Sequence, residues 1–178
     1  MSWKKEISQI KLREKLAKQQ GGSEAVKVQH DKGRLTLRER IDLLLDKDSF
    51  DEIGKVAGGA EYDDEGNLLS LTPANFILGF GKIEGQDVIV GGEDFTVKGG
   101  SPNAAGLRKS VYTEDLAVKH KFPLVRLHEG GGGSVAGPSK EKKGYGGDPV
   151  FARSRFKSVA QTLKEVPVVS AALGPVAG

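Results

Sequence analysis

Apolar residues in the first part of the chain recur at helical spacing. Trp3, Ile7 and Ile10 form one stripe, with Leu12 and Leu16 beside it, in a strongly charged background. This predicts a surface helix over residues 3–19 that docks on a body or a partner by one narrow face. The run QQGGS at 19–23 ends it as a linker. A second helix begins at Thr36. Thr36 and Glu39 have the T-x-x-E spacing of a capping box, and Ile41, Leu44 and Leu45 supply an apolar face. The polar run at 46–49 stops it.

The period then changes. Residues 60–72 are polar and turn-rich. Residues 75–83 and 86–90 alternate on either side of Glu84 and Gly85, which predicts a hairpin. A helix follows, with Ser101 as its cap, Pro102 in its first turn, and Leu107, Val111 and Val118 along one face. Lys119, His120 and Lys121 fall in or just past its last turn, where cations are favoured. The run FPLVRL at 122–127 reads as a short strand, with Pro123 placing its start near an edge or end. A long glycine loop comes next, with eight glycines between 130 and 147. Asp148 and Pro149 open another helix, whose core stripe is Phe156, Val159 and Leu163. The run VPVVSAAL at 166–173 reads as a buried strand that ends in the turn GPVAG, 174–178.

From residue 75 the order is strand, strand, helix, strand, helix, strand. Strands alternating with helices imply parallel pairing and an α/β layer. The sequence stops just after a buried strand, where another helix is expected. It therefore reads as part of a longer chain, the alternative being a small α/β domain with a frayed tail.

Composition narrows the function classes. Glycine contributes 25 of 178 residues, about twice the usual ~7 %. The absence of cysteine excludes a disulfide framework and a thiolate zinc site. No apolar run approaches the ~18 residues of a membrane span, and no apolar signal core follows the N-terminus. A cytoplasmic protein with no membrane partner is expected. The sequence pI near 9.0 invites a nucleic-acid reading. The charge, however, is segmented: net +6 over residues 1–40, −10 over 41–95 and +7 over 96–178. No zinc-finger or RNP-like motif is present, so no nucleic-acid partner is expected. A basic C-terminal half equally suits a phosphorylated small molecule such as coenzyme A.

The candidate chemistry lies in bare backbone. Residues 130–133 are four consecutive glycines, each costing about 0.5–1 kcal/mol against alanine in an ordered segment. With 174–178 they give two glycine turns after two strands. Ligands of α/β folds gather at the carboxyl ends of parallel strands. One backbone N–H aimed at a developing negative charge contributes about 2.7–4 kcal/mol to a transition state. An oxyanion hole is thus a sufficient reason for the glycines, and a flexible surface loop is the other. Phosphate-loop alternatives fail: no G-x-x-x-x-G-K-[ST] occurs, and GFGKIEG at 79–85 has the wrong spacing and lies in a hairpin. His30, His120 and His128 show no metal spacing. His128 and Glu129 border the glycine loop, either as a site residue and a base or as strand-end polar groups. No G-x-S-x-G elbow is present, and Ser134 reads as a turn residue.

Several blocks resemble one family. GRLTLRERIDLLLD at 33–46 with SFDEI at 49–53 resembles the entry segment of the carboxyltransferase (beta) subunits of biotin-dependent acyl-CoA carboxylases, of the propionyl-CoA and acetyl-CoA type. DFTVKGGS at 94–101 resembles that family's D-F-T-V-x-G-G-S. DLAVKH at 115–120 and GPVAG at 174–178 match too, the last being the start of G-P-x-A-G-G. The matches run from about residue 30 to the end.

The resemblance implies a crotonase-like (ClpP/crotonase) spiral of ββα units, incomplete and preceded by an N-terminal helical arm. Residues 1–58 would be the arm. Residues 59–178 would be the first part of the acyl-CoA-binding domain, with the C-terminal biotin-binding domain absent. The implied reaction moves a carboxyl group from carboxybiotin to the α-carbon of an acyl-CoA through an enolate held by backbone amides. The implied donors are Gly133 N–H and Gly178 N–H, the latter with a following glycine. Gly131, Gly132, Gly99 and Gly100 would let the substrate approach. Carboxybiotin would ride on a partner, and no metal is implied in this subunit. Biotin carboxylase and biotin carboxyl carrier subunits are the implied partners of a homo-oligomer. The chain alone would be catalytically silent. One departure is clear. The family's D-S-G-G-A-R reads EGGGGS at 129–134 here, so its serine and arginine contacts do not carry over. Two other readings stay open: a biotin-dependent acyl-CoA decarboxylase subunit, and a non-catalytic module that binds coenzyme A or a partner.

Overall fold

The computed structural model describes residues 2–101, 103–131 and 155–177. Helix α1 spans Lys4–Ala17. It lies along the β-hairpin that follows the arm, where Arg13 donates to the Tyr62 hydroxyl at 3.2 Å. Its predicted stripe is not covered: Trp3, Ile7 and Ile10 are 68 %, 50 % and 52 % exposed. Helix α2, Ser23–Asp31, follows the linker at once, in a stretch for which the sequence predicts no element. Helix α3, Leu37–Leu44, starts as predicted. Thr36 Oγ1 accepts from Glu39 N, and Thr36 N donates to Glu39 Oε2 at 2.7 Å, so both halves of the capping box form.

Strand β1 is Asp51–Glu52. The polar run after it is not a loop: β2 (Gly58–Tyr62) and β3 (Leu68–Pro73) pair antiparallel. Asp63 closes that turn by accepting from Glu65 N and Asn67 N. β4 (Phe76–Ile83) and β5 (Gln86–Glu93) form the predicted hairpin. A short 3₁₀ turn, Lys98–Gly100, leads into α4, Ala104–His120. The cap of α4 is Asn103, not Ser101: its Oδ1 accepts from Gly106 N at 2.7 Å. Asn satisfies an orphan donor as well as Ser does. β6 is Leu124–Gly131, α5 Arg155–Glu165 and β7 Val168–Ala177.

The main sheet has the order β1-β4-β5-β6-β7. β1, β4 and β5 pair antiparallel, and β5, β6 and β7 run parallel. Side chains alternate across it. On one face Ile77, Val88, Val90 and Leu127 pack with Leu37, Ile41 and Leu45 of the α3 region. On the other, Phe76, Leu78, Ile89 and Leu124 pack with Leu116 and Ala117 of α4 and with Val166.

Two predicted faces turned out otherwise. In α5, Val159 and Leu163 are 39 % and 62 % exposed, while Ser158 and Thr162 are buried. The Thr162 hydroxyl donates to Ser158 O inside the helix, which lets the polar side chain go inward. β7 is not a buried strand ending at 173. It forms the sheet's edge among the described residues, and the predicted turn from Gly174 is strand as far as Ala177. The opening of the last helix at Asp148 and Pro149 lies outside the described residues.

Candidate functional site

The carboxyl ends of β5, β6 and β7 meet on one side of the molecule. β6 runs four residues past its pairing with β5, because β7 continues to pair with it there: Gly130 faces Val176 and Gly131 faces Ala177. The 3₁₀ turn fills the space on the other side of β6. Lys98, Gly99 and Gly100 all have left-handed backbones, at φ 53°, 63° and 70°. Gly100 lies against the β6 backbone so closely that a Cβ there would be 2.7 Å from Gly130 Cα. A Cβ on Gly130 would in turn be 2.9 Å from Gly100 O. Two backbones approach here without side chains between them, which accounts for these two glycines by packing alone.

The turn is held from below. Asp94 is buried, and its Oδ1 accepts from Thr96 N at 3.0 Å and Thr96 Oγ1 at 2.6 Å. Burial pushes its pKa up, against those two hydrogen bonds. Thr96 Oγ1 also accepts from Gly21 N at 2.9 Å, which ties the turn to the arm. Gly100 N donates to Val97 O at 3.1 Å. Gly100 therefore packs on β6, and its N–H is engaged within the turn.

The two side chains bordering the glycines point to opposite faces. His128 lies on the α4 face, with Nδ1 3.3 Å from Glu93 Oε2. Arg126, two residues earlier on that face, is buried. Its guanidinium reaches Glu114 at 3.2 Å, Ser110 Oγ at 3.3 Å and Glu93 at 3.7 Å, and lies 5.2 Å from the Phe76 ring centroid. Burial would raise the Glu93 pKa, but the His128 hydrogen bond and the Arg126 and His128 charges hold it below the usual value. A cavity of about 250 Å³ opens beside these groups, walled by Leu124, Val159, Leu163 and Val168. A larger groove of about 820 Å³ runs between α1 and α3 and is lined mostly by charged residues such as Glu14, Lys18, Asp42 and Lys47.

Glu129 lies on the arm face and is 1 % exposed. Arg40 Nη1 donates to its Oε2, Gln29 Nε2 donates to Oε1 at 3.3 Å, and Arg34 Nη1 is 3.8 Å from Oε1. A carboxylate so held serves as an ion-pair anchor, which removes the reading of Glu129 as a base. Arg40, Arg34 and Gln29 were not singled out in the sequence. Arg40 reads as a polar position of a helix and Gln29 and Arg34 fall where the sequence predicts no element, and their partner lies 89 to 100 residues away.

Of the glycines implied as site residues, Gly99, Gly100 and Gly131 come together at the end of β6. Gly132, Gly133 and Gly178 lie outside the described residues. His30 pairs with Glu39 on the surface, and His120 packs edge-on against Phe80 at 5.1 Å. Among the described residues no group of three or more His, Asp or Glu side chains could hold a metal ion, and no helix is long and apolar enough to cross a membrane.

The carboxyl transferase domain profile matches residues 28–178. The putative propionyl-CoA carboxylase beta chain of Bacillus subtilis is 36 % identical over 164 residues, covering 92 % of this chain and 30 % of that one. The methylmalonyl-CoA decarboxylase subunit alpha of Veillonella parvula is 32 % identical over 169 residues, covering 94 % and 32 %. A crystal structure of transcarboxylase 12S, with methylmalonyl-coenzyme A and methylmalonic acid bound, superposes with a TM-score of 0.64 at 28 % identity. It covers 76 % of this chain and 26 % of that chain. The shared architecture is the crotonase fold. The chain spans about a third of the length of these curated relatives.

Proposed function

Because the chain belongs to the carboxyl transferase domain family, we propose that it is part of a subunit that carboxylates the α-carbon of an acyl-CoA. Residues 1–58 act as an arm, and residues 59–178 as part of the acyl-CoA domain. One observation carries this reading: β6 and β7 run parallel and end side by side, with Gly131 opposite Ala177. In the sequence Gly132 and Gly133 follow directly on β6, and Gly178 directly on β7. Two neighbouring strand ends are what a shared oxyanion site requires.

In this reading the acyl-CoA α-carbon loses a proton and its electron pair moves onto the thioester oxygen. Gly133 N–H and Gly178 N–H donate to that oxygen. Each well-placed donor is worth about 2.7–4 kcal/mol as the charge develops. The enolate carbon would then bond to the carboxyl carbon while the bond from that carbon to the biotin nitrogen breaks, and the freed nitrogen takes up the proton lost by the α-carbon, so that only the carboxyl group and the proton change places. Carboxybiotin, carried by a partner subunit or domain, supplies that group. Gly99, Gly131 and Gly132 leave the space through which the thioester enters, while Gly100 packs the turn onto β6. Activity belongs to the longer assembly, a cytoplasmic homo-oligomer with biotin carboxylase and biotin carrier partners. The relative from Veillonella parvula favours a second reading, in which the same site runs decarboxylation.

Calorimetric titration of this chain with propionyl-CoA and with free coenzyme A tests the proposal. Propionyl-CoA is expected to bind more tightly, and Gly133→Pro, which removes the N–H, is expected to abolish that preference. Equal affinities in the unmodified chain would contradict an oxyanion site and favour a module that holds coenzyme A by its phosphates.

A further inference from the structure

The parallel pairing of β6 and β7 is interrupted once. His128 faces Ala172 and Gly130 faces Val176. One β6 residue, Glu129, therefore stands opposite three of β7: Leu173, Gly174 and Pro175. A bulge of this kind re-aims the strand beyond it. Without it Gly131 would face Pro175, and Ala177 would lie two residues past the end of β6. The bulge thus decides which part of β7 meets the glycines of β6.

The bulge is filled by the Glu129 side chain, and the arm grips that side chain. A Cβ on Gly174 would lie 2.7 Å from Glu129 Cγ, so a side chain there would have to displace that of Glu129. Arg40 Nη1 donates to Glu129 Oε2, and its Nη2 makes a long contact of 3.5 Å to Leu173 O, a carbonyl of the bulge. One guanidinium on α3 therefore touches both strands at the place where their register changes. We infer that Arg40, acting through Glu129, is a positioning residue that fixes the β6–β7 register shift and so sets the two strand ends side by side. The functional meaning rests on the oxyanion reading above, but the geometry does not.

Arginine suits this task because its fork presents several donors in fixed directions, whereas lysine offers a single point charge. Arg40→Lys can keep the pairing with Glu129 and is expected to lose the bridge to Leu173. Arg40→Met removes both. Residue-resolved amide hydrogen exchange on the full chain, without ligand, reads the effect. In both variants those amides of Gly130, Gly131, Val176 and Ala177 that bond across the β6–β7 pair are expected to exchange at least about tenfold faster, as local opening confined to one segment does. Val169, Ser170 and Ala171, on the near side of the bulge, are expected to keep their rates. Unchanged rates beyond the bulge, or a uniform rise along all of β7, would overturn the inference. Global unfolding of both variants would also overturn it, since a device local to the bulge does not hold up the sheet. No acyl-CoA enters the experiment, so its failure is separate from failure of the functional reading.

Discussion

Gly100 and Lys109 show how single residues constrain this molecule in opposite ways. Gly100 combines φ 70° with backbone contact to Gly130. Gly100→Ala is expected to destabilise the chain by about 1–3 kcal/mol, the range for a forced left-handed residue, read as a shift of the urea midpoint. Lys109 is buried at the start of α4 and donates to Gly54 O at 3.3 Å. Burial brings its pKa down to about 8 from 10.5, with the Glu52 charge opposing that shift and Arg38 adding to it. The sign follows from proton binding. Between pH 8 and 10.5 the unfolded chain holds a proton on this lysine that the folded chain has released, so this residue makes stability rise with pH. Below pH 8 both forms are charged and the burial penalty is felt in full. Lys109→Met is expected to flatten the rise between pH 8 and 10, measured as urea midpoints, and to increase stability at pH 7.

At the scale of elements, legibility followed how local the determining contacts are. The α3 capping box, the hairpin over β4 and β5, and the positively charged end of α4 all rest on neighbours a few residues apart, and each stood in the sequence. β7 did not. Its ten residues extend past Gly174 because β6 supplies a partner across the bulge, a contact no local pattern encodes. The buried face of α4 also differs in part from the predicted one. Leu107 and Val118 are only half-buried, while Ser110 and Glu114 are buried because they meet Arg126 on β6. Among the described residues β7 is the sheet's edge, and an edge strand with exposed apolar side chains invites pairing. On β7, Val169 and Val176 are 61 % and 51 % exposed. The chain is therefore expected to self-associate with rising concentration, and Val169→Lys to weaken that association, in sedimentation velocity at two concentrations. A monomer at both concentrations would show that β7 is covered in solution.

For the whole molecule, the arm and the sheet form one unit around the ends of the parallel strands. Gly21 reaches Thr96, Arg40 reaches Glu129, and Arg38 forks onto Glu52 at 2.8 and 3.1 Å. The sequence placed the candidate site at bare strand ends, and the family blocks pointed to the same place. It could not show that the arm supplies the anchor of β6, because an ion pair that spans half of the chain leaves no periodic trace. The central claim is that amides leaving β6 and β7 converge on one thioester oxygen. Amide chemical shifts recorded while propionyl-CoA, and separately free coenzyme A, is added to the ¹⁵N-labelled chain test this most directly. The account predicts that amides of Gly131 to Gly133 and of Ala177 and Gly178 move together with the thioester and stay still with coenzyme A. Shifts at only one of the two strand ends, or the same shifts with both ligands, would contradict it.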